Sequence, residues 1–102
     1  MKVIIQTPDF KATRRLQKFV DAHVQKLDSL HTHILEGRVC LKTDNAQNGE
    51  NKVCELQVVI PGNDLFASKR AATFEESVTR SIDAIKHQME KTKTDFERVK
   101  MQ

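Results

Sequence analysis

Tryptophan and tyrosine are absent from the 102-residue chain, and five phenylalanines are its only aromatic residues by that measure. That leaves few flat surfaces on which bases or sugars can stack. Only three glycines occur, which nearly excludes a glycine-rich loop wrapped around phosphates. Two cysteines, Cys40 and Cys54, are too few for a disulfide scaffold. No stretch approaches the roughly 20 apolar residues of a membrane span. The opening MKVIIQTPDF holds too short an apolar run for a signal peptide. The expectation is therefore one small domain over residues 1–102, cytoplasmic, with no membrane partner.

Charge is plentiful but unevenly spread. The net charge is +3. Residues 1–42 carry eight Lys/Arg against four acids, residues 43–68 one against four, and residues 69–102 eight against six. The basic excess sits at the two ends of the chain and the middle is acidic. If the ends fold side by side, one face is basic. Two ordinary solvated helix faces account for the same pattern.

Six elements follow from periodicity and turn residues. Lys2–Gln6 alternates as a short strand, broken by Thr7-Pro8-Asp9. Helix one begins near Thr13, a capping residue, and carries the apolar stripe Leu16, Phe19, Val20, Val24, Leu27 and Leu30 until His31-Thr32-His33 ends it. Arg38–Thr43 alternates, with Val39 and Leu41 on one side and Arg38, Cys40 and Lys42 on the other. The polar stretch from Asp44 to Asn51 reads as a hairpin loop, and Lys52–Ile60 as its return strand. Pro61-Gly62-Asn63-Asp64 is a tight turn into a short strand, Leu65–Lys69. Thr73-Phe-Glu-Glu76 is a capping-box pattern opening a long second helix, with Phe74, Val78, Ile82, Ile85, Met89 and Phe96 as its buried stripe. The order β-α-β-β-β-α predicts an α+β domain: a four-stranded, largely antiparallel sheet with both helices packed on one face. The first strand, followed by a helix, is free to pair in parallel.

Residue patterns that carry chemistry are scarce in the chain. No nucleophile elbow and no paired catalytic carboxylate motif is present, so no catalytic residue is assigned and enzyme activity is not expected. His31-x-His33, His23 and the two cysteines are the only metal-capable set, and they lack the paired spacing of zinc sites. Neither a metal nor a cofactor nor a small-molecule substrate is therefore expected. Cys40, Cys54 and His23 read as packing or boundary residues.

The charged faces say more. At about 100° per residue, Lys11, Arg14, Arg15, Lys18 and Lys26 share one broad sector of helix one, with Asp21 and Asp28 on its flank. On helix two, Arg80, His87, Lys91 and Arg98 form one stripe, while Lys86, Lys93 and Lys100 form another beside the apolar face. Glu76, Asp83 and Glu90 flank the first stripe and are placed to pair with it. Basic stripes on neighbouring helices with almost no aromatics suit phosphate contacts along folded RNA better than base stacking.

From Pro61 to Lys93 the chain closely resembles the ribosome hibernation-promoting factor and ribosome-associated inhibitor A family, also known as sigma-54 modulation proteins, in its short form. The matching segments are Gly62-Asn-Asp-Leu-Phe-Ala67, Thr73-Phe-Glu-Glu76 and Ile82-Asp-Ala-Ile85. MKVIIQT, Leu16-Gln-Lys-Phe-Val20, Lys26-Leu27-Asp28 and Val39-Cys-Leu-Lys42 match the family's first half. The resemblance implies a fold similar to double-stranded-RNA-binding domains. It also implies binding in the groove between head and body of the small ribosomal subunit, over the mRNA and tRNA positions. Translation would be silenced there in stationary phase or under stress, mainly through basic side chains on 16S ribosomal RNA, by a protein that is a monomer when free. By alignment to the family, Lys26, Lys91 and Lys93 carry over as RNA-binding positions. Arg14, Arg15, Lys18, Arg80, Lys86, His87 and Arg98 are added from the helical stripes. Thr73 and Glu75 depart from the Asp and the aromatic that many relatives carry there. The end at Gln102 implies that the C-terminal domain of long-form members is missing, so ribosome pairing is not expected of this chain alone. A structured-RNA module acting away from the ribosome and a protein-interaction domain remain as alternatives.

Overall fold

A computed structural model describes residues 1–31, 33–45 and 47–100, with side chains described up to residue 91. The elements run β1 (Lys2–Gln6), α1 (Arg14–Gln25), a 3-10 turn (Lys26–Ser29), β2 (Glu36–Thr43), β3 (Lys52–Val59), β4 (Leu65–Ala71) and α2 (Phe74–Lys100). All six expected elements are present in the expected order. The sheet order is β1-β2-β3-β4. β1 pairs with β2 in parallel, across the α1 crossover, and the other two pairings are antiparallel.

Thr13 caps α1 as expected, its Oγ1 accepting from the Leu16 N–H at 3.1 Å. The stripe Leu16, Val20, Val24 and Leu27 is buried. Leu30 departs from it and is 52% exposed. The cause is the change to 3-10 geometry at Lys26, which turns each residue by about 120° and carries Leu30 out of phase with the helix before it. Lys11 likewise lies in the loop ahead of α1, not on it.

At the head of α2, Thr73 Oγ1 accepts from the Glu76 N–H at 3.2 Å. The returning half of the capping box is replaced: the Glu76 carboxylate accepts instead from Arg80 at 2.8 Å. Val78, Ile82, Ile85 and Met89 are buried as the stripe predicts, and Phe96 lies outside the described side chains. Two residues that an apolar pattern misses, Ser77 and Ser81, are fully buried beside them. Their hydroxyls are satisfied locally, Ser77 donating to Phe74 O and Ser81 to Ser77 O or Cys54 O. Small side chains with internal partners let α2 settle close to β3.

One core cluster joins Leu16, Val20, Val24 and Leu27 of the first helical segment, Val78, Ile82, Ile85 and Met89 of α2, and Val39, Leu41, Cys54, Leu56, Val58, Leu65 and Ala67 of the sheet. Both helices therefore cover one face. Phe10 stacks on Phe74 with centroids 4.8 Å apart, and Lys52 sits over the same ring, closing the end where both helices begin. The turn after β3 places Pro61 ahead of Gly62 at φ 90°, closed by Asn63 N–H to Ile60 O at 3.2 Å, which is a type II arrangement.

Strand alternation puts the two cysteines on opposite faces, Cys54 in the core and Cys40 on the open side. Burial pushes the Cys54 thiol up to about 11, partly offset by the Ser81 hydroxyl. Burial also raises Cys40, helped by the Glu55 carboxylate. Since the thiolate is the reactive form, iodoacetamide at pH 8 is expected to label Cys40 slowly and to leave Cys54 unmodified until the chain unfolds. Mass spectrometry of the native and urea-unfolded protein checks this. Equal labelling of both thiols in the native state would contradict the buried placement. The unfolded chain releases the Cys54 proton near pH 9 and the folded chain holds it to about 11. Unfolding therefore releases a proton between those values, and stability falls as pH rises through that window.

Candidate nucleic-acid interface

The sheet and helix directions fix where the basic residues go. β2 and β4 run the same way, since each is antiparallel to β3. Both helices return against that direction, so they run alongside each other with their N-terminal ends together, where Phe10 meets Phe74. α2 leans on the β4 edge: Gln88 Nε2 donates to Phe66 O at 2.7 Å, and Arg80 Nη1 to Arg70 O at 2.7 Å. The opposite flank of α2, about 160° around from Gln88, carries Lys86 and faces α1. α1 leans the other way. Gln25 Nε2 donates to Met1 O at 3.1 Å, and Asp28 accepts from the Met1 amine at 2.7 Å. Lys18 lies on the crest of α1, Arg15 and Lys26 on the side of the crest turned toward α2, and Arg14 on the side turned toward β1, in phase with Gln25.

The outer surface of the helical layer is thus basic on the α1 crest and in the channel between the helices. Arg14, Arg15, Lys18, Lys26 and Lys91 are exposed and Lys86 is half-buried. None of the six forms an ion pair among the described residues. Cations without internal partners are the ones available to phosphates. Lys26 opens the 3-10 turn and does not belong to α1 itself. His87 is exposed on the far crest of α2. Lys93 and Arg98 fall on α2, and their side chains lie outside the described residues.

Arg80 stands apart from the rest. Besides Arg70 O, its guanidinium bonds Glu76 and lies 3.9 Å from Glu50 of the hairpin loop. It ties the head of α2 to the β4 edge and to the β2–β3 loop. Glu76, Asp83 and Glu90 occupy the strip of α2 between Lys86 and the Arg80–His87–Lys91 stripe. The two basic stripes of α2 are therefore separated by acids.

The acidic middle of the chain is largely neutralised from within. Arg70 pairs with Asp44, and Lys42 with Glu55 at 3.1 Å. These are exposed pairs of small energetic weight, but they cancel charge locally. The Glu55 carboxylate raises the Lys42 amine. Nothing in the run of the sequence marks Arg70 as a partner of Asp44, because the pairing depends on β4 lying beside β3.

The histidines on and after α1 are engaged within the fold. His23 stacks on Phe19 at 3.9 Å, and its Nδ1 donates to Phe19 O at 2.8 Å, the carbonyl being able only to accept. His31 Nδ1 accepts from the His33 N–H. Among the described residues no group of three or more His, Cys, Asp or Glu is placed to hold a metal ion. No helix there is long and apolar enough to cross a membrane.

Similar proteins agree with this architecture. The crystal structure of the Thermus thermophilus Protein Y N-terminal domain superposes with a TM-score of 0.76 at 18% identity, covering 90% of this chain and 99% of that one. A ribosomal subunit interface protein from Coxiella burnetii superposes with a TM-score of 0.81 at 13% identity, covering 92% and 99%. These likenesses establish the fold. A ribosome hibernation promotion factor of Deinococcus radiodurans is 26% identical over 88 residues, covering 84% of this chain and 46% of the relative. The chain thus spans about half the length of that curated relative. The family model described as sigma 54 modulation protein / S30EA ribosomal protein matches residues 3–96, nearly the whole chain, and the protein belongs to that family.

Proposed function

We propose that this protein binds the small ribosomal subunit and holds it inactive by occupying the mRNA and tRNA groove during stationary phase or stress. The observation that carries the reading is the set of cations on the helical layer that have no ion-pair partner among the described residues: Lys18 on the α1 crest, Arg14 and Arg15 to either side of it, and Lys26 and Lys86 along the channel. Such a surface suits the sugar–phosphate backbone of 16S ribosomal RNA, because it offers charge without flat rings. Family membership supplies the ribosome as the RNA in question. The names borne by the Deinococcus and Coxiella relatives point the same way. In this reading the free protein is a cytoplasmic monomer and uses no cofactor.

Co-sedimentation tests it. The protein is expected to pellet with purified small subunits at low salt and to be displaced by deacylated tRNA. Its affinity should fall with salt at a log–log slope of about −0.9 for each phosphate neutralised, so these five cations, all engaged, give about −4.5. Binding to free duplex RNA without co-sedimentation would remove the ribosomal reading. Salt-independent binding would remove the phosphate contacts themselves.

A further inference from the structure

The sheet face turned away from the helices carries chemistry that the basic layer does not use. Register aligns Ile4, Arg38, Gln57 and Phe66 in one cross-strand row, and Gln6, Cys40, Glu55 and Ser68 in the next. These rows, Ser68 excepted, line a shallow depression of about 490 Å³. Phe66 forms one wall and is 54% exposed, whereas Phe10, Phe19 and Phe74 pack against the core. A phenylalanine exposed on an open sheet is a flat plate in contact with water, and among the described residues no aromatic ring stacks upon it.

The polar groups around that plate are of mixed kind. Arg38 donates from Nε to Glu36 at 2.7 Å, and its two terminal nitrogens have no partner among the described residues. Glu55 receives Lys42 on Oε1, which leaves Oε2 as an acceptor. Gln57 donates its amide nitrogen to Asp64 at 3.0 Å, which leaves its amide oxygen as an acceptor. Charge is cancelled in pairs, Arg38 with Glu36 and Lys42 with Glu55. A face balanced in this way does not gather phosphate backbone. It suits a neutral ring that stacks and presents both donors and acceptors along one edge.

Guanine has that edge. Its N1–H and N2 amino group donate side by side and suit a carboxylate, and O6 and N7 accept side by side and suit a guanidinium. Adenine lacks the paired donors and meets the Glu55 carboxylate with an acceptor. Strands are about 4.8 Å apart, so Phe66 and Arg38, two strands distant, are about 10 Å apart at the backbone. A purine on Phe66 together with the length of an arginine side chain spans that gap. We propose that the open sheet face binds a guanine ring stacked on Phe66, with Glu55 accepting from N1–H and N2 and Arg38 donating to O6 or N7. The site lies across the sheet from the helical cations, so it stands or falls independently of the ribosomal reading.

Amide chemical-shift titrations of the full chain test the proposal with four probes: guanosine 5′-monophosphate, adenosine 5′-monophosphate, inorganic phosphate, and a single-stranded oligouridylate carrying one guanosine. The guanine nucleotide is expected to shift the amides of Arg38, Glu55, Gln57 and Phe66 saturably, and to bind at least fivefold tighter than the adenine nucleotide. Phosphate alone should leave those amides in place. Phe66→Ala should weaken binding at least fivefold, while Phe66→Tyr, which keeps the plate, stays within twofold. Glu55→Gln should bring the guanine preference within twofold, with unchanged spectral dispersion showing that the fold is intact. If the guanosine-bearing strand saturates tenfold below the mononucleotide, the site serves unpaired RNA, and equal saturation assigns it to free nucleotide. Equal binding of both nucleotides by the unaltered protein, shifts confined to α1 and α2, or no saturation by 10 mM nucleotide (a concentration on the order of the weakest specific sites) would each overturn it.

Discussion

Reversing two charges in the channel, Lys26→Glu with Lys86→Glu, is expected to lower affinity for the small subunit by about 100-fold or more. At roughly 0.15 M salt, each phosphate neutralised contributes about fivefold to affinity through counterion release. Two reversals remove two such contacts and place two anions against phosphate, a change of four charges, and the product exceeds 100-fold even if the repulsive half is partly relaxed. Neither side chain pairs with an acid among the described residues, so the substitution breaks no internal contact. Thermal stability should therefore stay within about 0.5 kcal/mol of the parent. The salt slope of the variant should also be shallower by about two phosphates. An affinity within threefold of the parent would mean that the channel is not where RNA lies.

Arg80 supplies the internal control. Its guanidinium already serves Arg70 O, Glu76 and Glu50. Arg80→Ala is expected to act on the fold, lowering stability by about 1 kcal/mol once solvent screening of a half-exposed group is allowed for. Its effect on affinity should be small beside that of the channel pair. The contrast separates cations that hold the protein together from those free to meet a partner, a distinction that helical phase cannot make.

That distinction marks the limit of what the residues alone disclose. The stripe Leu16–Val20–Val24–Leu27 and its counterpart on α2 are legible because helical spacing is local. So are Thr13 as a cap and the turn at Pro61-Gly62, since both depend on neighbours three residues away. Spacing alone places Leu30 in the stripe, because nothing in it announces a switch to 3-10 geometry at Lys26. The burial of Ser77 and Ser81 is not legible in an apolar pattern, because it rests on hydroxyl partners, one of them in β3 across 27 residues of chain. The basic sector of α1 was visible, and α1 indeed presents Arg14, Arg15 and Lys18 to solvent. The quenching of the acidic middle by Arg70, Lys42 and Arg80 was not, because each pairing needs the sheet register or the seat of α2 on the β4 edge. Candidate functional residues are read from local pattern, and their availability is decided by tertiary neighbours.

The largest effect on stability from one small change is expected at Gly37. This residue lies in β2, where α1 crosses it, and a Cβ added there would stand 2.8 Å from Val24 Cγ1 and 3.1 Å from Met1 Sδ. Its backbone is not in the left-handed region, so the requirement for glycine comes from space and not from φ. Met1 is a flexible side chain that can swing aside. Val24 is fully buried, stiff at χ1 and held in the core. Adding the Cβ must therefore lift the C-terminal half of α1 away from the sheet or drive Val24 off its rotamer, and overpacking of this kind costs about 1–3 kcal/mol. For a domain near 100 residues each kcal/mol moves the midpoint by about 4–8 °C, so Gly37→Ala should lower Tm by about 10 °C. Gly37→Val should cost more, since its additional methyl groups meet the same wall. Removing the obstacle should restore part of the loss: in the double variant Gly37→Ala with Val24→Ala, the new methyl occupies some of the space that the valine leaves. The two substitutions should accordingly be non-additive by more than about 0.5 kcal/mol in urea unfolding. Additive losses, or a Gly37→Ala protein as stable as its parent, would show that α1 does not press on β2 at this point. Because Lys26 follows directly from that half of α1, a lifted helix should also displace the channel cation. Gly37→Ala is therefore expected to weaken subunit binding several-fold while leaving every charge in place.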